Sequence, residues 1–114
     1  MNDCLFCKIA AGEIPSAKVY EDEHCLAFRD ISPQAPVHVL IVPKVHVDGA
    51  DALDGLSDAA LAACLRAAHK VAQSEGIAKT GYRVVSTCGA HACQSVRHLH
   101  FHVLGGRQLG ERMD

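Results

Sequence analysis

The sequence contains no apolar run approaching the roughly 20 residues that a membrane-spanning helix requires. It also lacks an excess of positive charge, any internal repeat, low-complexity segment or interdomain linker. A formal net charge of −2 supplies no electrostatic footprint for a nucleic-acid polymer or an anionic membrane, so both partner classes are disfavoured. The acidic, cysteine-containing N-terminus lacks signal-peptide composition, and a reduced cytoplasm is the expected compartment. The six cysteines then read as thiols or metal ligands rather than a disulfide framework. With 49 % hydrophobic and 21 % charged residues, the 114-residue chain has the composition of a soluble globular protein. Residues 1–114 fit one domain, which would bury roughly 65 % of the surface exposed on unfolding.

The most informative stretch is His98-Leu99-His100-Phe101-His102-Val103-Leu104. Polar and apolar residues alternate strictly, the pattern of a half-buried strand over 98–104, so three imidazoles share one face. Leu99, Phe101 and Val103 face the core. Same-face residues on a strand lie about 6.5–7 Å apart, which separates His98 from His102 by about 13 Å at the backbone. Bonds of about 2 Å to one zinc cannot easily be satisfied by all three. The row suits an extended polar group, with different tasks at its two ends. One exposed histidine would be unremarkable, but three on one face carry a side chain whose near-neutral pKa suits chemistry.

Upstream, residues 4–12 predict a short helix ended by Gly12. Cys4 and Cys7 could hold zinc or form a redox dithiol. Nothing before them supplies the strand that a thioredoxin-like site follows, so metal ranks above redox, and two further ligands are needed. Strands are expected over 18–21 and 25–29, joined as a hairpin through Asp22-Glu23-His24. Asp30 opens a loop with two prolines and, on spacing alone, reads as a loop-capping carboxylate. Residues 37–43 predict a central strand buried on both faces, in which His38 stands out as a hydrogen-bonded core residue.

Residues 57–75 predict the longest helix, with Ser57 as N-cap, Gly76 as terminator, and Leu61, Cys64, Leu65, Ala68, Val71 and Ala72 on its buried face. His69 is expected at the surface. A strand over 82–86 and a linker over 88–93 lead to the histidine row, and a polar, mobile tail is expected over about 107–114.

The histidine row matches the His-φ-His-φ-His-φ-φ signature, φ being apolar, and resembles the histidine-triad (HIT) proteins. Phe28 through His38, Ile41-Val42-Pro43-Lys44, Gln94-Ser95-Val96 and Gly105-Gly106-Arg107-Gln108 resemble the Hint branch in its order. The resemblance extends from Cys4 to Gln108. It implies an α+β HIT-like fold: a mainly antiparallel five-stranded sheet, one long helix and a short N-terminal helix. It also implies a homodimer with the long helices at the interface.

The implied activity is hydrolysis of purine nucleoside phosphoramidates, of the AMP-NH2, AMP-lysine or aminoacyl-adenylate type, through a nucleotidyl-histidine intermediate. His100 corresponds to the nucleophile and His102 to the residue nearest the scissile bond. The His98 carbonyl orients His100, His38 is a fourth histidine beside them, and Ser95 positions phosphate and leaving group. The resemblance assigns Asp30 to the ribose hydroxyls, Phe6, Ile9, Phe28 and Ile31 to the base, and Leu40 to the nucleotide site. It places Thr87 and Gln94 near the nucleotide, a purine nucleotide such as AMP or GMP. Cys4, Cys7, His46 and His98 correspond to ligands of a structural zinc, with no catalytic metal required.

Four departures bear on leaving-group preference. Thr87 stands where Asn is usual, Cys93 where Gly is usual, His91 where an acid is common, and Leu109 through Asp114 replace a Trp-Pro segment. Nucleotidyl transfer and dinucleoside polyphosphate cleavage are alternative activities, although Ser95 after Gln94 favours the hydrolase branch. A nucleotide-binding scaffold with incidental turnover is the alternative of a different class, and a zinc-binding module ranks after it.

Overall fold

Short strands with two-residue periodicity build a sheet whose two faces differ chemically. In the computed structural model, which describes residues 3–113, five strands pair antiparallel. They are β1 (Lys18–Glu21), β2 (Cys25–Arg29), β3 (Val37–Pro43), β4 (Tyr82–Val85) and β5 (Phe101–Gly105), in the spatial order β1-β2-β3-β5-β4. Met1, Asn2 and Asp114 of the expected domain and tail lie outside the described residues. No helix among the described residues is long and apolar enough to cross a membrane.

The expected hairpin forms between β1 and β2, with a bulge between Lys18 and Tyr20. Asp22 closes its turn by accepting from the amides of His24 at 2.8 Å and Cys25 at 2.9 Å. Along β3, Val39 and Ile41 face the long helix α2 (Asp58–Ser74), in a core with Cys25, Ala27 and Val103. Leu40 and Val42 face the other way and pack with Leu26, Phe28 and Phe6, the last from the short helix α1 (Leu5–Ala10). Leu40 pairs with His102 and His38 with Leu104, so His38 and His102 are diagonal neighbours on this second face. Apolar burial on both sides, at about 25 cal/mol per Å², holds the histidines in place.

Ser57 caps α2, its hydroxyl accepting from the Ala60 amide at 3.1 Å, and Gly76 follows the helix with φ 75°. The buried face differs from the expected one: Ala60 and Ala67 join Cys64, Ala68, Val71 and Ala72, whereas Leu61 is half-buried and Leu65 is 50 % exposed. The sheet already presents Val39, Ile41 and Val103. Close packing against those large side chains selects the small ones of the helix and turns Leu65 outward.

The strand expected over 98–104 begins only at Phe101. Continuing the β3–β5 register would set Leu99 opposite Pro43, which has no N–H for the ladder, and the Leu99 amide donates to Val47 O at 2.8 Å instead. His98 and His100 thus lie on chain beyond the ladder, beside α1. The connection 88–93 contains a short 3₁₀ turn, Ala90–Ala92, which Cys93 closes at φ 61°, a left-handed conformation less costly for glycine. The tail is tied at its start, with Arg107 donating to Gln34 O at 3.2 Å and Arg83 to Gly110 O at 2.7 Å.

Candidate functional site

At one end of the row His98 is fully buried, and its Nε2 donates to the Pro43 carbonyl at 2.8 Å. A carbonyl only accepts, so Nδ1 keeps its lone pair. That nitrogen lies 3.2 Å from Cys4 Sγ, 3.4 Å from Cys7 Sγ and 3.2 Å from His46 Nδ1, and Cys7 Sγ is 3.4 Å from His46 Nδ1. α1 presents both cysteines because residues 4 and 7 are one helical turn apart, and Cys4 is also the N-cap. His46 Nε2 sits 2.9 Å from Asp48 Oδ1, which raises the imidazole pKa and orients its Nδ1 toward the cluster.

Two sulfurs and two nitrogens therefore converge within 4.8 Å of one another. A tetrahedral zinc, with bonds of about 2.3 Å to sulfur and 2.05 Å to nitrogen, sets neighbouring S and N about 3.5 Å apart and two nitrogens about 3.3 Å apart. The observed separations agree within a few tenths of an ångström. The donor set suits zinc or another borderline-soft cation, with protein atoms filling all four positions. Burial pushes the Cys4 thiol up, so the thiolate needed for ligation calls for a cation beside it.

The other end has a different geometry. His100 Nδ1 donates to His98 O at 2.7 Å, leaving Nε2 as the nitrogen available to the cleft. Its ring, only 4 % exposed, stands edge-on to Phe6 with centroids 5.0 Å apart. His38 Nδ1 accepts from the Gln34 amide at 3.0 Å, so its Nε2 carries the proton and donates to His102 Nδ1 at 2.8 Å. His102 must then hold its own proton on Nε2, on the side of the cleft. Burial, reinforced by His100 and His38, lowers His102 to about 4, and burial lowers His38 while Asp30, 3.5 Å away, opposes the shift. Both rings are neutral near pH 7.

His100 and His102 border a cleft of about 490 Å³. Phe6, Ile9, Phe28 and Leu40 supply its apolar wall, while Asp30, Ser95, His100 and His102 supply polar groups. Such a wall with a few converging polar groups fits a flat apolar ring joined to a charged tail. Ile31 stands at the rim and is 99 % exposed. Asp30 does cap its loop, accepting from the Ser32 amide at 2.8 Å through Oδ1, and it also reaches the cleft.

Thr87 and Gln94 do not line the cleft. Thr87 is half-buried, and the Gln94 amide is engaged with loop backbone at Asp48, Gly89 and Val96. Several contributors are absent from the sequence reading: the Gln34 amide, the Pro43 carbonyl, Asp48, and Ser86, whose hydroxyl donates to His100 O at 2.8 Å. Only Asp48 carries a sequence signal, an acid two residues after His46 of the Cys/His cluster.

Residues 11–109 match the HIT domain family. A purine nucleoside phosphoramidase of Escherichia coli (strain K12) is 44 % identical over 109 residues, 96 % of this chain and 92 % of that protein. A 14 kDa zinc-binding protein of Zea mays is 52 % identical over 111 residues, 92 % of this chain and 83 % of the relative. A HIT family hydrolase from Clostridium thermocellum superposes with a TM-score of 0.94 at 45 % identity, spanning 99 % of this chain and 98 % of that one. Since sequence and fold agree over almost the whole chain, it belongs to the HIT family and is one of its hydrolases.

Proposed function

We propose that the chain hydrolyses purine nucleoside phosphoramidates to the nucleoside monophosphate and an amine. The observation that carries this reading is the fixed pair of ring orientations, with His100 offering an unprotonated Nε2 and His102 a protonated one to the same cleft. Similarity to the E. coli phosphoramidase supports the substrate class.

His100 Nε2 attacks the α-phosphorus, forming an N–P bond as the bond to the leaving nitrogen breaks. His102 Nε2–H hydrogen-bonds the departing nitrogen, which takes a proton from a water molecule in the cleft, so the amine departs neutral and leaves hydroxide behind. That hydroxide then attacks the phosphorus, and the His100–phosphorus bond breaks to release the monophosphate and return His100 to its neutral form. Throughout, the His98 carbonyl holds the Nδ1 proton of His100 and disperses the positive charge gained on attack. Ser95 aids phosphate and leaving-group placement, Asp30 accepts from the ribose hydroxyls, and Phe6, Ile9, Phe28 and Leu40 enclose the base.

Cys4, Cys7, His46 and His98 hold a zinc ion in this reading, supported by their donor geometry and by similarity to the maize zinc-binding protein. Four protein ligands leave no open position, so the ion ties α1 to the histidine row rather than acting on substrate. A homodimer is part of the same reading. Leu65 of α2 and Tyr82 and Val84 of β4 are exposed apolar residues that a second copy would cover, and sedimentation at twice the 12.2 kDa chain mass is the expected result. A 12.2 kDa species at micromolar concentration would remove the dimer from the reading.

The direct test is AMP release from adenosine 5′-phosphoramidate by the wild type and by folded His100→Ala. We expect release by the first and a loss of at least about 10³-fold in the second. Equal rates would remove His100 as nucleophile. Binding of AMP without turnover by the wild type would favour a nucleotide-binding scaffold.

A further inference from the structure

Gln94 faces away from the cleft, and its contacts join the two ends of the site. Nε2 donates to Asp48 O at 2.6 Å and to Val96 O at 3.0 Å, while Oε1 accepts from the Gly89 amide at 2.9 Å. Asp48 belongs to the arm that carries His46. Its carboxylate takes His46 Nε2 at 2.9 Å on one oxygen and Arg97 Nη2 at 3.1 Å on the other. Gly89 and Val96 flank the loop that brings Ser95 to the cleft. One side chain thus ties the metal arm to both ends of the Ser95 loop.

Packing gives a second, independent sign of this contact. A Cβ at Gly49 would lie 3.2 Å from Gln94 Nε2 and 3.2 Å from Cys88 Sγ. The arm approaches the amide this closely because residue 49 has no side chain. The Ser95 loop carries turn bonds, Ala92 N to Gly89 O at 3.2 Å, Cys93 N to Ala90 O and Gln94 N to Gly89 O at 3.1 Å and His98 N to Val96 O at 2.9 Å, but among the described residues it pairs with no strand. Its position is set from outside.

We propose that Gln94 is a positioning residue that couples the Cys4/Cys7/His46/His98 centre to the Ser95 loop, so that metal binding orders this side of the cleft. Ligation of His46 fixes residues 46–49, which fixes the Asp48 carbonyl, the acceptor of the shortest Gln94 bond. The inference rests on the metal reading above and is independent of the choice of substrate.

Amide hydrogen exchange on the full chain tests it without substrate, comparing zinc-loaded with chelator-stripped protein for the wild type and Gln94→Ala. Stripping zinc from the wild type should speed exchange across 88–97 about tenfold, the effect of losing one hydrogen bond. In Gln94→Ala the loop should exchange about tenfold faster even with zinc bound, and stripping should add no more than about twofold. Unchanged exchange in α2 is the control for folding. Should Gln94→Ala lose protection in α2, Gly49→Ala, which presses on the same amide, carries the test with the same expected pattern.

A loop indifferent to zinc in the wild type overturns the coupling. So does an equal zinc response in wild type and variant, which would route it around Gln94. A chain that binds no zinc overturns both the metal reading and the coupling, whereas one that binds zinc with an indifferent loop overturns the coupling alone.

Discussion

The two ends of the histidine row use the same side chain on the same face of the chain, yet their nitrogens are committed differently. His98 is fully buried, with one nitrogen on the Pro43 carbonyl and the other among two sulfurs and a second imidazole. His102, four residues on, is half-buried, with one nitrogen on His38 and the other on the side of the cleft. What lies across from each ring, rather than the ring itself, decides between a place in the Cys/His cluster and an N–H turned toward the cleft. His100 sits between and depends on both, taking its orientation from the His98 backbone and sharing the cleft with His102.

The separation of tasks can be broken by substitutions at either end. His100→Ala carries the largest expected effect, at least about 10³-fold in kcat/KM, with zinc content unchanged. His98→Ala should show the opposite signature: loss of bound zinc and a fall of about 3 kcal/mol in unfolding free energy, because it removes both a buried ring and a ligand. Zinc stoichiometry and urea denaturation read this. Zinc lost from His100→Ala, or retained at full affinity by His98→Ala, would mean that the two ends are one unit.

The proton-bearing end can be sharpened through His38. His38→Gln retains a donor toward His102 Nδ1, whereas His38→Glu puts an acceptor there and should reverse the His102 tautomer. We expect a loss in kcat of about 10²-fold for Glu and less than about tenfold for Gln. Imidazole ¹⁵N shifts check the cause: the His102 proton should sit on Nε2 in the wild type and on Nδ1 in the Glu variant. An Nδ1 proton in the wild type would reverse the assigned roles.

The smallest effect is on stability against pH. Burial with the charges of His100 and His38 lowers His102 from 6.5 to about 4, so the unfolded chain takes up this proton before the folded one. The stabilisation is complete above about pH 6.5 and declines as the pH falls toward 4. His102→Gln should make the decline between those limits shallower in urea denaturation. An unchanged slope would show that His102 is not protonated preferentially in the unfolded chain.

Much of the frame was legible because local signals agree with the tertiary ones. The residues that alternate or run apolar over 18–21, 25–29 and 37–43 are those of β1, β2 and β3, and Ser57 and Gly76 bracket α2 as their capping chemistry implies. The late start of β5 was not legible, since it depends on Pro43 of another strand standing opposite Leu99. The outward turn of Leu65 likewise depends on how much space the sheet leaves. In the site, the motif marked the histidines and the first cysteines, but their neighbours are backbone groups such as the Gln34 amide and the Pro43 carbonyl, which no side-chain pattern encodes. Gln94 was assigned to the nucleotide from its place beside Ser95. Its amide bonds loop backbone at Gly89 and Val96 and the carbonyl of Asp48, the last distant in sequence.

The two-sided character of β3 has a consequence for how such a chain can change. Val39 and Ile41 belong to the core under α2, and Leu40 to the cleft, with His38 on that same second face bonded to His102 and no residue between them to spare. Replacing one side chain disturbs one side. Inserting or deleting a single residue within 37–43 would turn His38 into the oily layer and set Val39 beside His102, so these strands tolerate changes of letter far better than changes of length.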